Sequence, residues 1–231
     1  LWIGTSDGGL NYYDNASQLY KNYLFNSGNL DVPFKDIKTV YVDEVQDRIY
    51  VGAHAGGMMV LHRKSGYIEY YNRHNSNLPS NNIYSIISDG YGGLWVASLE
   101  YLLHFDIDKR NFTIVDVDED GHKLQQYNRL LFCDSKKRIW AGGEMGISVF
   151  NQVGTSLLPN TDFQIASVLK QAFVNCFYET SSGYLWIGTR NGLFALKESD
   201  KQFLQYTTEN GLPSNVIYGI LEDAYGRLWI S

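Results

Sequence analysis

GYLWIGTRNGLF (residues 183–194) sets an apolar strand between two glycine turns and holds one of only five tryptophans in 231 residues. Its core is a pattern of apolar, aromatic, apolar and small residues. That pattern recurs as LWIG at 1–4, IYVG at 49–52, LWVA at 94–97, IWAG at 139–142, LWIG at 185–188 and LWIS at 228–231. The steps between copies are 48, 45, 45, 46 and 43 residues. Trp2, Trp95, Trp140, Trp186 and Trp229 all take the second position, and Tyr50 takes it in the remaining copy. Self-similarity at a period of about 40–50 residues marks a repeat architecture, and a four-stranded propeller blade is the unit of that length.

The rest of each copy reads the same way. NVIYGILED (215–223) is a strand ending in acids, AYGR (224–227) a glycine turn and LWIS the next strand. The same unit appears as NNIYSIISD-GYGG-LWVAS at 81–98 and as DIKTVYVDE-VQDR-IYVGA at 36–53. Strand A therefore turns tightly into strand B. Strand C follows a small-residue turn (GLFAL at 192–196, GLNYY at 9–13, GISVF at 146–150). Strand D follows a polar turn (KQFLQYT at 201–207, YIEYYN at 67–72, NFTIVDV at 111–117). Longer loops such as ENGLPSN (209–215) and NSNLPSN (75–81) return to the next strand A. The expected fold class is all-β, a β-propeller of four-stranded antiparallel blades in which neighbours bury what one blade cannot. Residues 1–231 read as a single, partial propeller region. Its repeats start near 1, 49, 94, 139 and 185, with an incomplete last repeat at 228–231. The recurring aromatics (Trp2, Tyr50, Trp95, Trp140, Trp186, Trp229) are expected to pack between blades.

Composition agrees. Eighteen tyrosines against three methionines suit pleated surfaces. A formal charge of −6 argues against a nucleic-acid partner, which needs a basic stripe. No run of about 18 apolar residues is present to span a membrane. The chain opens and stops inside a repeat, so it is expected to be a piece of a longer protein. Cys133 and Cys176 fall in adjacent repeats three positions out of phase, which points them to opposite faces and predicts free thiols rather than a disulfide.

The combination N-x-[IV]-[YF]-x-[IL]-x-E-D-x-x-G-x-[IL]-W-[IV]-G-T-x-x-G-[IL], with a GLPSN-type loop, resembles the two-component regulator propeller repeat. The resemblance covers the whole chain. It is strongest in NVIYGILEDAYGRLWIS (215–231) and YLWIGTRNGLF (184–194), and weakest at YNRLLFCDSKKRIWAG (127–142) and LWVASLEYLLHF (94–105). Such repeats build the periplasmic sensor of hybrid two-component systems of the Bacteroides type. That sensor has two seven-bladed propellers and an Ig-like domain, followed by a membrane helix, histidine kinase, receiver and DNA-binding domains. The resemblance implies that this chain is a fragment of a seven-bladed ring in the periplasmic region of an inner-membrane protein. It also implies a homodimer, an oligosaccharide ligand and kinase activity outside this chain.

Binding is expected on one face. The A–B turns are short and uniform, whereas the B–C turns and D–A loops vary, and variation on a constant scaffold is where recognition resides. The B–C turns read TSDGG (5–9), AHAGG (53–57), SLEY (98–101), GEMG (143–146) and TRNG (189–192). Four keep a glycine before strand C, as a positive φ would require. The third places Tyr101 there, beside Glu100, and its strand-B glycine is Ala97. A tyrosine ring could stack on a sugar while the acid accepts hydroxyl hydrogen bonds. The candidate ligand-binding residues are His54, Glu100, Tyr101, Arg129, Glu144, Arg190 and Asn191. Lys35, Asp36, Asn81, Asn82, Gln126, Lys170, Gln171 and Asn215 on the D–A loops could add polar groups. The blander reading is that any ring of loops is polar.

Chemistry beyond binding has little support. Asp116, Asp118 and Asp120, with Gly121, match the start of a calcium loop, but Tyr127 stands where a bidentate Glu is needed. A solvated acidic turn is the better reading, and no metal or cofactor is expected. Glu100 and Glu144 could form a glycosidase-like carboxylate pair, though acids on neighbouring turns are commonplace. No nucleophile elbow, P-loop or His-Glu-x-x-His motif occurs. The leading expectation is a non-enzymatic ligand sensor. The alternatives are a propeller enzyme acting on polysaccharide, as lyase or hydrolase, and a protein–protein interaction scaffold.

Overall fold

The computed structural model describes residues 1–23, 34–98, 100–115, 128–160, 169, 171–197 and 202–231. It divides into two compact units, Leu1–Leu124 and Gln125–Ser231. The calcium-loop candidates Asp116, Asp118 and Asp120, and also Gln126 and Lys170, lie outside the described residues.

In the first unit, β1 (Trp2–Gly4), β2 (Leu10–Asp14) and β3 (Leu19–Tyr23) form a three-stranded sheet. A four-stranded sheet follows, with β4 (Ile37–Asp43), β5 (Arg48–Ala53), β6 (Gly57–His62) and β7 (Ile68–Tyr71) in that order. The next comprises β8 (Ile83–Ser88), β9 (Leu94–Ser98), β10 (Tyr101–Asp106) and β11 (Asn111–Ile114). The second unit holds β12 (Asn128–Cys133), β13 (Arg138–Gly143), β14 (Gly146–Val153) and β15 (Ser156–Pro159) as one sheet. Its second sheet is β16 (Val174–Glu179), β17 (Tyr184–Thr189), β18 (Gly192–Lys197) and β19 (Gln202–Tyr206). The pair β20 (Ile220–Glu222) and β21 (Leu228–Ile230) completes it. Each sheet is antiparallel and meandering, with neighbours in sequence paired in space. The chain is all-β, and these sheets are the blades of a β-propeller.

An aspartate at the end of strand A builds the A–B turn. Asp134 Oδ1 accepts the backbone N–H groups of Lys136 and Arg138 at 3.0 and 2.9 Å. Asp134 Oδ2 accepts Arg138 Nε at 2.6 Å and the indole N–H of Trp140 at 2.8 Å. Asp223 does the same for Tyr225, Arg227 and Trp229. Asp89 closes its own turn through Tyr91 and Gly93, and holds His104 Nε2 at 2.7 Å. Thr180 stands at this position in the fifth repeat, and there the indole N–H of Trp186 is buried without a partner.

Three devices join one blade to the next. The strand-B glycine leaves room for a β-branched residue of the following strand A. A Cβ on Gly52 would come within 2.5 Å of Ile83 Cγ2, and one on Gly188 within 2.8 Å of Ile217 Cγ2. The glycine before strand C donates its N–H to the following D–A loop, Gly57 to Asn81 O at 2.8 Å and Gly192 to Asn215 O at 2.7 Å. The serine after the turn aspartate or threonine binds a glutamate of the next blade. Ser135 reaches Glu179, and Ser181 reaches Glu222, each through backbone N–H and hydroxyl.

The recurring strand-B aromatics differ in burial. Tyr50, Trp95 and Trp140 are each 0% exposed. Trp2 and Trp186 are half-buried, and Trp229, on the two-stranded sheet, is exposed. Cys133 and Cys176 are free thiols. Burial pushes the Cys176 thiol up to about 11, so it remains protonated.

Candidate functional site

Strand A of every four-stranded sheet carries a bulge at the same place. The register shifts between Ile37 and Thr39, Ile83 and Ser85, Asn128 and Leu130, and Val174 and Cys176. The extra residue is Lys38, Tyr84, Arg129 or Asn175. Bulges re-aim a side chain out of the ladder and recur beside functional sites. These four positions vary in chemistry from blade to blade. Of the four, only Arg129 was singled out by its sequence. The bulge falls at the [YF] position of N-x-[IV]-[YF], which reads Tyr84 in the third blade but Lys38, Arg129 and Asn175 in the others.

In the second unit the bulge brings predicted residues together. Arg129 forms an ion pair with Glu144 on the β13–β14 turn, Nη2 to Oε1 at 2.5 Å. The same guanidinium lies 5.9 Å from the ring centroid of Phe173, just before β16. Arg190, on the β17–β18 turn, lies over that ring at 3.8 Å from its centroid. Its backbone N–H donates to Phe173 O at 3.0 Å. Cation–π contacts are worth about 0.5–1 kcal/mol at exposed sites, enough to bias the orientation of an otherwise floppy side chain. Among the described residues no carboxylate lies within ion-pair distance of Arg190. Phe173, half-buried and absent from the sequence-based candidates, is therefore the platform of the cluster.

Asn191 is exposed on the same turn, and its carbonyl accepts from Gln205 Nε2 at 2.9 Å. Thr189, between Gly188 and the turn, has a structural task. Its buried hydroxyl donates to Gly192 O at 2.8 Å and accepts the Asn191 N–H at 2.9 Å. The glycine that follows is required twice over. Gly192 has φ of 115°, and a Cβ there would lie 2.5 Å from Tyr206 O.

In the first unit, His54 Nδ1 lies 3.9 Å from Asp36 Oδ2, and Asp36 is also paired with Lys38 at 2.8 Å. Glu100 is exposed. Tyr101 is half-buried and rests on the cluster that includes Ile83 and Leu103, so only part of its ring faces solvent. It has no positive φ, so this turn is built without the glycine geometry of the others. Asn81 and Asn215 hold their own loops. Their side-chain oxygens accept the N–H groups of Arg73 and Thr208, both at 2.8 Å. Asn82 likewise accepts from Ala55 N at 2.8 Å. The side-chain oxygens of these asparagines thus fasten the loops themselves.

Residues 77–100, 169–191 and 211–231 match the family model of the two component regulator propeller. A curated relative, Histidine kinase P4 of Formosa agariphila, is 24% identical over 284 residues. That match takes in 97% of this chain and 20% of the relative. Among solved structures, two extracellular domains from B. thetaiotaomicron are similar, both designated as belonging to hybrid two component systems. One superposes with a TM-score of 0.80 at 21% identity, covering 99% of this chain and 30% of that chain. The other has a TM-score of 0.77 at 19% identity, covering 99% and 29%. The chain thus spans only a fifth to a third of the length of these relatives. With the aspartate turns, the strand-B aromatics and the glycine-keyed joints in place, the three matched segments liken the chain to the two component regulator propeller.

Proposed function

We propose that this region is the ligand-sensing, extracytoplasmic propeller of a hybrid two-component sensor kinase and transcription regulator. The ligand is an oligosaccharide bound on the face of the B–C turns and D–A loops. The observation that carries this reading is Arg190. Its guanidinium is exposed, oriented by Phe173 and has no carboxylate partner among the described residues. Such a group offers paired donors to the acceptor oxygens of hydroxyls or a uronate. Glu144, held by Arg129, adds acceptors beside it. The extracellular placement of the similar B. thetaiotaomicron domains supports an extracytoplasmic location, and the kinase relative supports an output domain in the same polypeptide. The sensor works as a homodimer anchored in the inner membrane, and ligand binding biases the placement of the two subunits.

Calorimetry against neutral and acidic oligosaccharides tests the reading. The expected outcome is saturable binding of at least one glycan, weakened about tenfold or more by Arg190→Ala. Equal binding after Arg190→Ala and Tyr101→Ala rejects this face as the site. New reducing ends or unsaturated products on incubation replace the sensor with a polysaccharide-cleaving enzyme.

A further inference from the structure

Two guanidiniums converge on one ring in the second unit. Arg129, from the β12 bulge, and Arg190, from the β17–β18 turn, both approach Phe173. Their charges are not treated alike. Arg129 is paired with Glu144, and the two side chains are 36% and 39% exposed, so the pair is reached from solvent. Arg190 is exposed, and among the described residues no carboxylate lies within ion-pair distance of it. The cluster formed by these three groups therefore holds one positive charge in excess, located at Arg190. Beside it, the Asn191 main chain is engaged by Thr189 and Gln205. The Asn191 side-chain amide is exposed and makes no hydrogen bond among the described residues.

This arrangement discriminates by charge. The paired donors of a guanidinium match the two oxygens of a carboxylate, whereas a hydroxyl leaves the charge without a counter-ion. An ionised glutamate only accepts hydrogen bonds, so Glu144 can receive hydroxyls and repels an anion. The formal charge of −6 on the whole chain repels polyanions further. A neutral glycan leaves Arg190 unmatched, and a glycan with acids on adjacent residues meets Glu144.

We propose that the glycan bound here carries a single carboxylate, as a uronic acid flanked by neutral sugars. The proposal rests on the oligosaccharide reading of this face and names its class. The carboxylate takes the fork of Arg190, while Asn191 and Glu144 take neighbouring hydroxyls. Glu144 is the specificity-determining residue that turns away a second acidic group, and Arg129 is a positioning residue that holds Glu144 in place.

The probes are oligosaccharides of glucuronoxylan and rhamnogalacturonan, whose uronates are flanked by neutral sugars, the same oligosaccharides after carboxyl reduction, and oligogalacturonate, with acids on adjacent residues. Each is titrated calorimetrically into the full chain. At least one single-uronate glycan is expected to bind, and its carboxyl-reduced form to bind at least about tenfold more weakly. Arg190→Gln is expected to cost the same factor for the uronate and to leave the reduced form little changed. Glu144→Gln is expected to shift the preference toward oligogalacturonate by about fivefold, because a like charge is removed from its path. A purely structural Glu144 would instead weaken both glycans alike. Both residues are exposed, so cooperative unfolding is expected to be retained in the variants. Equal binding of native and carboxyl-reduced forms, binding of neutral glycans alone, or an unchanged preference in Glu144→Gln overturns the proposal and leaves the oligosaccharide reading standing. If no glycan binds, neutral or acidic, both fall.

Discussion

Trp140 donates its indole N–H to Asp134 at 2.8 Å, and through that carboxylate it shares an anchor with Arg138 and with two backbone N–H groups of the A–B turn. The recurring aspartate and the recurring tryptophan are thus two ends of one bond. Asp134 is 3% exposed, so removing it strands a largely buried guanidinium and a buried indole N–H. Asp134→Ala is expected to cost about 3–5 kcal/mol. Chemical denaturation against the parent protein measures it, and a loss below about 1 kcal/mol would contradict the assignment.

The fifth repeat lacks this anchor, because Thr180 and Tyr184 stand where Asp134 and Arg138 stand in the fourth. Thr180→Asp alone buries a carboxylate without its cation, and Tyr184→Arg alone supplies a cation without its carboxylate. Together they recreate the set and give the Trp186 indole an acceptor. The double variant is expected to exceed the sum of the singles by about 1–2 kcal/mol in a double-mutant cycle. Additive effects would show that Trp186 lies beyond reach of residue 180.

Gly188 is empty space reserved for a neighbour. A methyl group there meets Cys176 Sγ at 2.5 Å and Ile217 Cγ2 at 2.8 Å. Gly188→Ala is expected to destabilise by about 1–3 kcal/mol through overpacking. The control is Gly154→Ala, where φ is 59° but nothing lies within 4 Å. It should show only the smaller cost of the left-handed backbone. Comparable losses in the two variants would deny that Gly188 serves packing.

The Asp223 carboxyl is subject to partial desolvation, which raises it. Hydrogen bonds from Arg227, Trp229 and Tyr225 outweigh that effect and hold it at about 2, against an ordinary 3.8. A depressed folded value stabilises above the unfolded value, and that stability is lost as the pH falls through the folded one. The Trp229 indole N–H resonance, followed by NMR, should be constant from neutral pH to about 4 and shift as the pH approaches 2. A midpoint near 3.8 would mean that the carboxylate is not held.

The strands and their order were legible because hydrophobic alternation, glycine turns and one aromatic recur at a fixed step. The tasks of the polar residues were less legible. Asn81 and Asn215 read as loop polarity but are loop staples, since an Asx side chain that accepts a nearby backbone N–H looks the same in sequence as one awaiting a ligand. Thr189 reads as part of a binding turn but fastens it. Phe173 was missed because one aromatic in a polar stretch carries no periodicity. Its partners Arg129 and Arg190 lie 61 residues apart in the chain and meet it only after folding.

The glycine-to-isoleucine joint gives the array a direction. Gly52 receives Ile83, and Gly188 receives Ile217, always from the blade that follows in the chain. The plug and the socket sit on opposite sides of each blade, so a gene segment of one repeat carries both halves of the joint. Copied in tandem, it would dock to its own duplicate without a compensating change elsewhere. Such an array can lengthen by duplication, each new copy arriving with the socket its neighbour's plug requires.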